Sequence, residues 1–309
     1  VADSKRGPEA VTSDPLPPAG GSPDGVASAE SNYDDESVKE IQNFLDSPKP
    51  SMPAGAFMTM PAGAFMTDDH RYYFNGEGPK PSVTTILEML DKPALSTWKA
   101  QQAVKALYQN LRAHPNQLWT ENEAVKWALA EVRKTRTNAA SIGSGVHHLA
   151  DMALRAPEND PKAWQVSEDT QPYIDAYRAF SDRYERSSFV SSEKMVWSLN
   201  GYAGTYDLLM MIDNELWLID IKTGKGLYPE FALQLAAYRW ADWIILPGNP
   251  QHYEMPNIER TGILHIRPEL YPEGYSLIDI PITYKDDYIP FLGILEAYNW
   301  KERRKKLKQ

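Results

Sequence analysis

The sequence predicts an α/β protein with a mixed central β-sheet flanked by helices, preceded by a helical part and a disordered acidic tail. Three observations carry this. Residues 1–50 are rich in Pro, Gly, Ser, Asp and Glu and poor in aromatics. Residues 82–186 hold apolar residues at helical spacing. From residue 187 onward, runs of alternating or β-branched apolar residues take over, separated by helical stretches. The predicted division is therefore residues 1–69, an acidic tail with a duplicated linker, and 70–309, a folded domain. Within the domain, 82–186 is the helical part and 187–309 the sheet-bearing core.

The tail cannot bury enough apolar surface to offset its ordering entropy, so disorder is expected. One amphipathic piece, Val38 to Leu45, is suited to become helical on a protein partner. Met52–Thr59 reads MPAGAFMT, and Met60–Thr67 repeats it letter for letter. Two copies are too few for a solenoid, so a duplication in a tolerant linker is expected.

The folded part is expected to open near His70, with Arg71–Phe74 a short strand. Pro81-Ser82 introduces Val83, Ile86, Leu87 and Leu90 at helical spacing. Further helices are predicted over 94–112, 121–135, 139–155 and 172–186, the last from Tyr173, Tyr177, Phe180 and Tyr184. Strands follow at 193–199, 203–212 and 215–222. A helix is predicted from Pro229 to about Leu246, then strands at 261–267 and 275–282, and a final helix from about Asp286.

Composition excludes several chemistries. The 309-residue chain has no cysteine, which removes disulfides, thiolate nucleophiles, cysteine zinc sites and cysteine-ligated iron–sulfur clusters. No apolar run approaches the roughly 18–20 residues that span a bilayer, and no secretory leader is evident, so a soluble cytoplasmic protein is expected. The net charge is −10, but residues 1–69 carry twelve acidic and four basic residues, so 70–309 is near neutral. Such a domain has room for a local basic groove. Lys301–Gln309 hold six Lys or Arg, either a solvated helix end or phosphate contacts.

The densest chemistry lies in a predicted hairpin. Asp207–Ile212 and Glu215–Asp220 flank Asp213-Asn214, a plausible two-residue turn. That turn places Asp207 directly opposite Asp220, at the roughly 4.5–5.5 Å Cα separation of cross-strand partners. Two carboxylates so placed suit a shared hard divalent cation. Lys222 falls on the face of Asp220, while Ile221 points into apolar cover and offers its carbonyl as a further oxygen ligand. A cation there lowers the pKa of a bound water, and a lysine stabilises charge on a phosphate. Asp207, Asp220 and Lys222 are thus the expected catalytic residues for phosphodiester hydrolysis. Gly204-Thr205 permits close approach by a substrate backbone, or a bulge. Gln234 and Tyr238 share a face of the following helix, suited to bind the scissile strand or to orient Lys222. On residues alone, His147 and His148 are more often structural, and their adjacency leaves the choice between them open.

In combination, Gly204-Thr205-Tyr206-Asp207, Asp220-Ile221-Lys222 and Gln234-xxx-Tyr238 resemble the RecB-like branch of the PD-(D/E)XK nucleases. Glu193 fits the glutamate of that branch's first core strand, in a supporting role. Gly143-Ser-Gly-Val-His147 is similar to its upstream Gly-Thr-x-x-His element, with Ser144 in place of Thr. The resemblance covers roughly 139–240. More loosely, Pro81–Leu87 and Trp98 resemble an N-terminal element of phage and mitochondrial genome-maintenance exonucleases. It implies a restriction-endonuclease-like core and a metal held by His147, Asp207, Asp220 and the Ile221 carbonyl. Mg²⁺ or Mn²⁺ is implied as cofactor, and Thr205, Gln234 and Tyr238 as substrate-binding residues. The implied activity is that of a DNA exonuclease acting on single-stranded or duplex ends, in phage replication, recombination or repair. A non-catalytic DNA-binding protein on the same fold, or a hydrolase of another phosphoester, is the alternative.

Overall fold

A computed structural model describes residues 63–67, 71–116, 118–155, 167–184, 189–246 and 251–305. The tail over 1–62, with the segment Val38–Leu45 and the first octapeptide copy, lies outside them.

The protein is α/β, with a mixed seven-stranded sheet flanked by helices. Its strands are β4 (Phe189–Ser198), β5 (Tyr202–Ile212), β6 (Glu215–Lys222), β7 (Trp243–Ile245), β8 (His252–Glu254), β9 (Arg260–Ile266) and β10 (Tyr275–Asp279). Their order across the sheet is β10-β9-β6-β5-β4-β7-β8. Only β6 and β9 run parallel. The crossover between them contains helix α5 (Glu230–Arg239), as a parallel connection requires. The hairpin register is the one the turn predicts. Ile212 pairs with Glu215 and Leu208 with Ile219. Asp213 and Asn214 take φ of 52° and 63°, the left-handed pair of a type I′ turn.

One sheet face packs against α1 (Val83–Leu87), α5 and α6 (Ile289–Lys305). Val83, Ile86, Tyr202, Leu218, Leu235 and Phe291 are fully buried there. The opposite face packs against α3 (Glu121–Arg155) and α4 (Gln171–Arg183), with Val146, Tyr177, Phe180, Leu208 and Ile219 at its centre. Helix α2 (Pro93–Ala113) packs mainly along α3. Of the stripe predicted for α4, Tyr177 and Phe180 are buried, and Tyr173 and Tyr184 pack half-buried against the same core. Ser82 caps α1, its hydroxyl accepting the Thr85 N–H at 2.9 Å.

Several boundaries differ from the sequence reading, each for a physical reason. The folded region begins before His70. Ala64–Met66, in the second octapeptide copy, forms β1 and pairs with β2 (Tyr72–Phe74), which pairs with β3 (Glu77–Lys80). Ala64, Tyr72 and Phe74 bury against Met195, Trp197 and Ile245 of the large sheet, so part of the duplicated segment is core. The helices expected at 121–135 and 139–155 are one. Thr135 and Thr137 do not break it, because their hydroxyls donate to the carbonyls of Glu131 and Arg133 one turn back. The helix expected to reach Leu246 stops at Arg239, and Trp243–Ile245 pairs with β4 instead. A short apolar run does not distinguish strand from helix, and the exposed edge of β4 decides. The last helix begins at Ile289, after a π-helical turn at Tyr284–Tyr288 capped by Thr283. In its basic end, Arg303 pairs with Glu296 and Lys305 with Glu302, the solvated-helix reading for those residues. Among the described residues no helix is long and apolar enough to cross a membrane.

Candidate active site

The site forms where the sheet forks. The β5–β6 ladder ends at Leu208 and Ile219. Beyond it β5 continues with β4, Tyr206 pairing Lys194, while β6 continues with β9, Lys222 pairing His265. Asp207 sits in the fork. There the Ile221 N–H donates to Asp207 Oδ2, at 2.6 Å. Glu193 lies between Ser192, paired with Leu208, and Lys194, paired with Tyr206, so it stands opposite Asp207. Three adjacent strands thus carry three carboxylates in one row: Glu193, Asp207 and Asp220. Glu193 holds a left-handed φ of 49°, a backbone strain of the kind that persists where surrounding structure dictates it and clusters at functional sites.

Helix α3 brings a histidine to this row. His147 Nδ1 lies 3.3 Å from Asp207 Oδ1 and 3.3 Å from Glu193 Oε1. His148 is exposed, so of the two adjacent histidines it is His147 that meets the acids. Two glycines of the helix face neighbouring side chains at contact distance. A Cβ at Gly143 would lie 3.4 Å from Thr223 Oγ1, and one at Gly145 would lie 3.4 Å from Thr170 Cγ2. Glu193, expected only in support, joins His147 and Asp207 as a donor group whose atoms lie within 4.8 Å of one another.

Asp220 is tied elsewhere. Its Oδ2 lies 2.6 Å from Lys222 Nζ, and its Oδ1 accepts from Gln234 Nε2 at 2.9 Å. Gln234 also donates to Tyr238 Oη at 3.2 Å and accepts from Lys222 Nζ at 3.2 Å. Gln234 and Tyr238 are buried. Gln234 is hydrogen-bonded to Lys222, the contact that orienting Lys222 would use. Lys222 Nζ also sits 4.7 Å from the centre of the Phe231 ring.

Gly204 and Thr205 also make contacts within the fold. A Cβ at Gly204 would lie 2.6 Å from Tyr238 Cε1, so it is the tyrosine ring that approaches the backbone there. Thr205 Oγ1 shares a 3.2 Å hydrogen bond with Tyr72 Oη from the small sheet. Ile221 contributes a buried side chain and the N–H on Asp207.

Burial and charge separate the proton affinities of these groups. Burial works against the charged form of His147, but Asp207 and Glu193 outweigh it and push the imidazole up to about 11. Burial raises Asp207, yet His147, Lys222 and the Ile221 N–H hold it below the usual carboxylate range. Asp220 is pushed up to about 6 by burial and by Asp207, with Lys222 pulling the other way. Burial lowers Lys222, and Asp220 and Asp207 more than compensate. Two neighbouring carboxylates are thus set apart, one firmly ionised and one close to accepting a proton.

Further residues support the site without having been singled out from sequence. His265 Nε2 and Arg267 Nη1 both approach the carbonyl of Gly224, at 2.8 and 3.0 Å, and so pin the loop after Lys222. Both are buried. His265 Nδ1 meets Tyr271 Oη at 2.7 Å, and Arg267 pairs with Glu269. Two basic residues at period two inside a predicted strand were the available signal.

The donor set of one imidazole and two carboxylates, without thiolate, suits a divalent cation that accepts nitrogen and oxygen ligands. Comparison with protein-family models and with curated protein sequences gives no match for this chain.

Proposed function

We propose that the protein is a metal-dependent nuclease on a restriction-endonuclease-like core of the RecB-like PD-(D/E)XK type, hydrolysing DNA phosphodiester bonds. The observation that carries the reading is the row of Glu193, Asp207 and Asp220 on adjacent strands, with His147 against one end and Lys222 paired to the other. His147, Glu193 and Asp207 would hold Mg²⁺ or Mn²⁺, with Asp220 and the Ile221 carbonyl beside them. The bound cation would supply Lewis-acid polarisation and offset phosphate charge.

The rest follows from side chains. Lys222 is kept cationic by Asp220 and Asp207, so its ammonium stabilises the negative charge that builds on the phosphate during attack. It also provides donors that orient an attacking water. Gln234 fixes Asp220 and Lys222 relative to each other, which keeps the pair preorganised. Asp220, held in place by Lys222 and Gln234, adds a further carboxylate beside the cation. DNA ends are the proposed substrate, and phage replication, recombination or repair the proposed setting.

The test is cleavage of end-labelled linear DNA and of circular DNA, with Mg²⁺, Mn²⁺ or EDTA. Shortening of linear DNA alone, abolished by EDTA, is expected. Asp207→Ala and Asp220→Ala should each lose cleavage, with most DNA binding in Ca²⁺ retained, because phosphate contacts survive the loss of one carboxylate. Full cleavage by either variant, or by the wild type in EDTA, refutes the assignment.

A further inference from the structure

The loop after β6 reads Thr223-Gly-Lys-Gly-Leu-Tyr228 and carries an exposed apolar pair, Leu227 at 40% and Tyr228 at 45%. It is not a slack connection. Both His265 and Arg267 anchor the Gly224 carbonyl from within the sheet. The Tyr228 ring is held from two sides. Its tip lies against Gly226, where a Cβ would be 3.4 Å from both Cζ and Oη. Its ring also meets Phe231 edge-on, with centroids 5.7 Å apart. Phe231 in turn lies under Lys222 Nζ at 4.7 Å. The Tyr228 ring is therefore no farther from Lys222 than those two distances laid end to end, within reach of a nucleotide beside the scissile phosphate. A solvent-facing aromatic ring with fixed orientation next to a phosphate-binding lysine has the chemistry of a base-stacking platform. Paired bases already stack within a duplex, so such a ring recognises an unpaired one.

We infer that Tyr228 is a stacking shelf for an unpaired nucleobase flanking the bond to be cut, which makes single-stranded DNA or a frayed end the substrate. The inference rests on the nuclease reading of Lys222 and its neighbours, and is tested separately from it. The full chain is titrated in Ca²⁺, which blocks cutting, with a fluorescent oligothymidylate and with the same strand bearing abasic sites. The wild type should bind the base-bearing strand about tenfold more tightly, the scale of one lost stack. Tyr228→Ala should erase that preference, and Tyr228→Phe should keep it. In Mg²⁺, Tyr228→Ala should raise KM far more than it changes kcat. A base preference that survives Tyr228→Ala, or that Tyr228→Phe fails to restore, overturns the shelf. Absence of cleavage by the wild type overturns the nuclease reading instead, and the binding titration reads the shelf independently.

Discussion

Gly204→Ala is a single methyl whose effect is worked out from the geometry. The added Cβ would sit 2.6 Å from Tyr238 Cε1 and 3.3 Å from Val83 Cγ2. Carbon atoms in contact normally lie about 3.5–4.0 Å apart, so the ring must retreat by about an ångström. It has little room, since Tyr238 is 3% exposed and Val83 fully buried. Overpacking of this kind costs about 1–3 kcal/mol. For a domain of this size that corresponds to a fall in Tm of about 2–12 °C. The displaced phenol is also the partner of Gln234, whose amide serves Asp220 and Lys222. Disturbing a hydrogen bond to a charged group is worth about 1.5–3 kcal/mol, or roughly one to two orders of magnitude in turnover. Thermal unfolding and DNA cleavage well below Tm check both parts. Combining Gly204→Ala with Tyr238→Val removes the clash, so the two stability losses should sum to less than their separate values. If Gly204→Ala matches the wild type in Tm and turnover, the close approach of Tyr238 is not what requires glycine.

His147→Ala should abolish metal-stimulated cleavage, with partial rescue by excess Mn²⁺, while His148→Ala should stay active. Because His147 is held protonated up to about 11 in the metal-free protein, its charge stabilises the fold fully below about pH 6.5. That contribution is lost as pH rises through the folded value. Denaturant unfolding across pH 7–10 should show the decline in the wild type and not in His147→Ala. A cation must displace this proton, so metal affinity should rise with pH past neutrality, and calorimetry in buffers of different ionisation heat should detect proton release. Pairs of truncations test the duplicated octapeptide. Removing residues 1–59 leaves β1 intact, whereas removing 1–67 deletes it. The longer deletion should lower stability by about 2–3 kcal/mol through loss of buried Ala64 and of Phe65 stacked on Tyr73. Excising one octapeptide from the full chain should leave Tm unchanged, because deleting either copy yields the same sequence.

What the sequence determined by itself was local. Period-two alternation and a two-residue turn are enough to bring Asp207 and Asp220 onto neighbouring strands and to place Lys222 beside them, since strand geometry allows no other parity. Helix periodicity likewise located the buried stripe of α4. The tertiary structure decided what depends on contacts distant in the chain. His147 and Glu193 are separated by 46 positions, and only the packing of α3 on the forked sheet selects His147 over His148 and makes Glu193 its partner. The packing of α5 on the sheet buries Gln234 and Tyr238, and the pairing of β9 with β6 brings His265 and Arg267 to the loop. Pairing with β2 makes a strand of Ala64–Met66, because an edge of waiting hydrogen-bond partners outweighs the composition of a short segment. Side-chain type and spacing set which chemistry is available. Which groups actually meet is set by how helices and sheet bury their apolar faces against one another, and no local pattern records that.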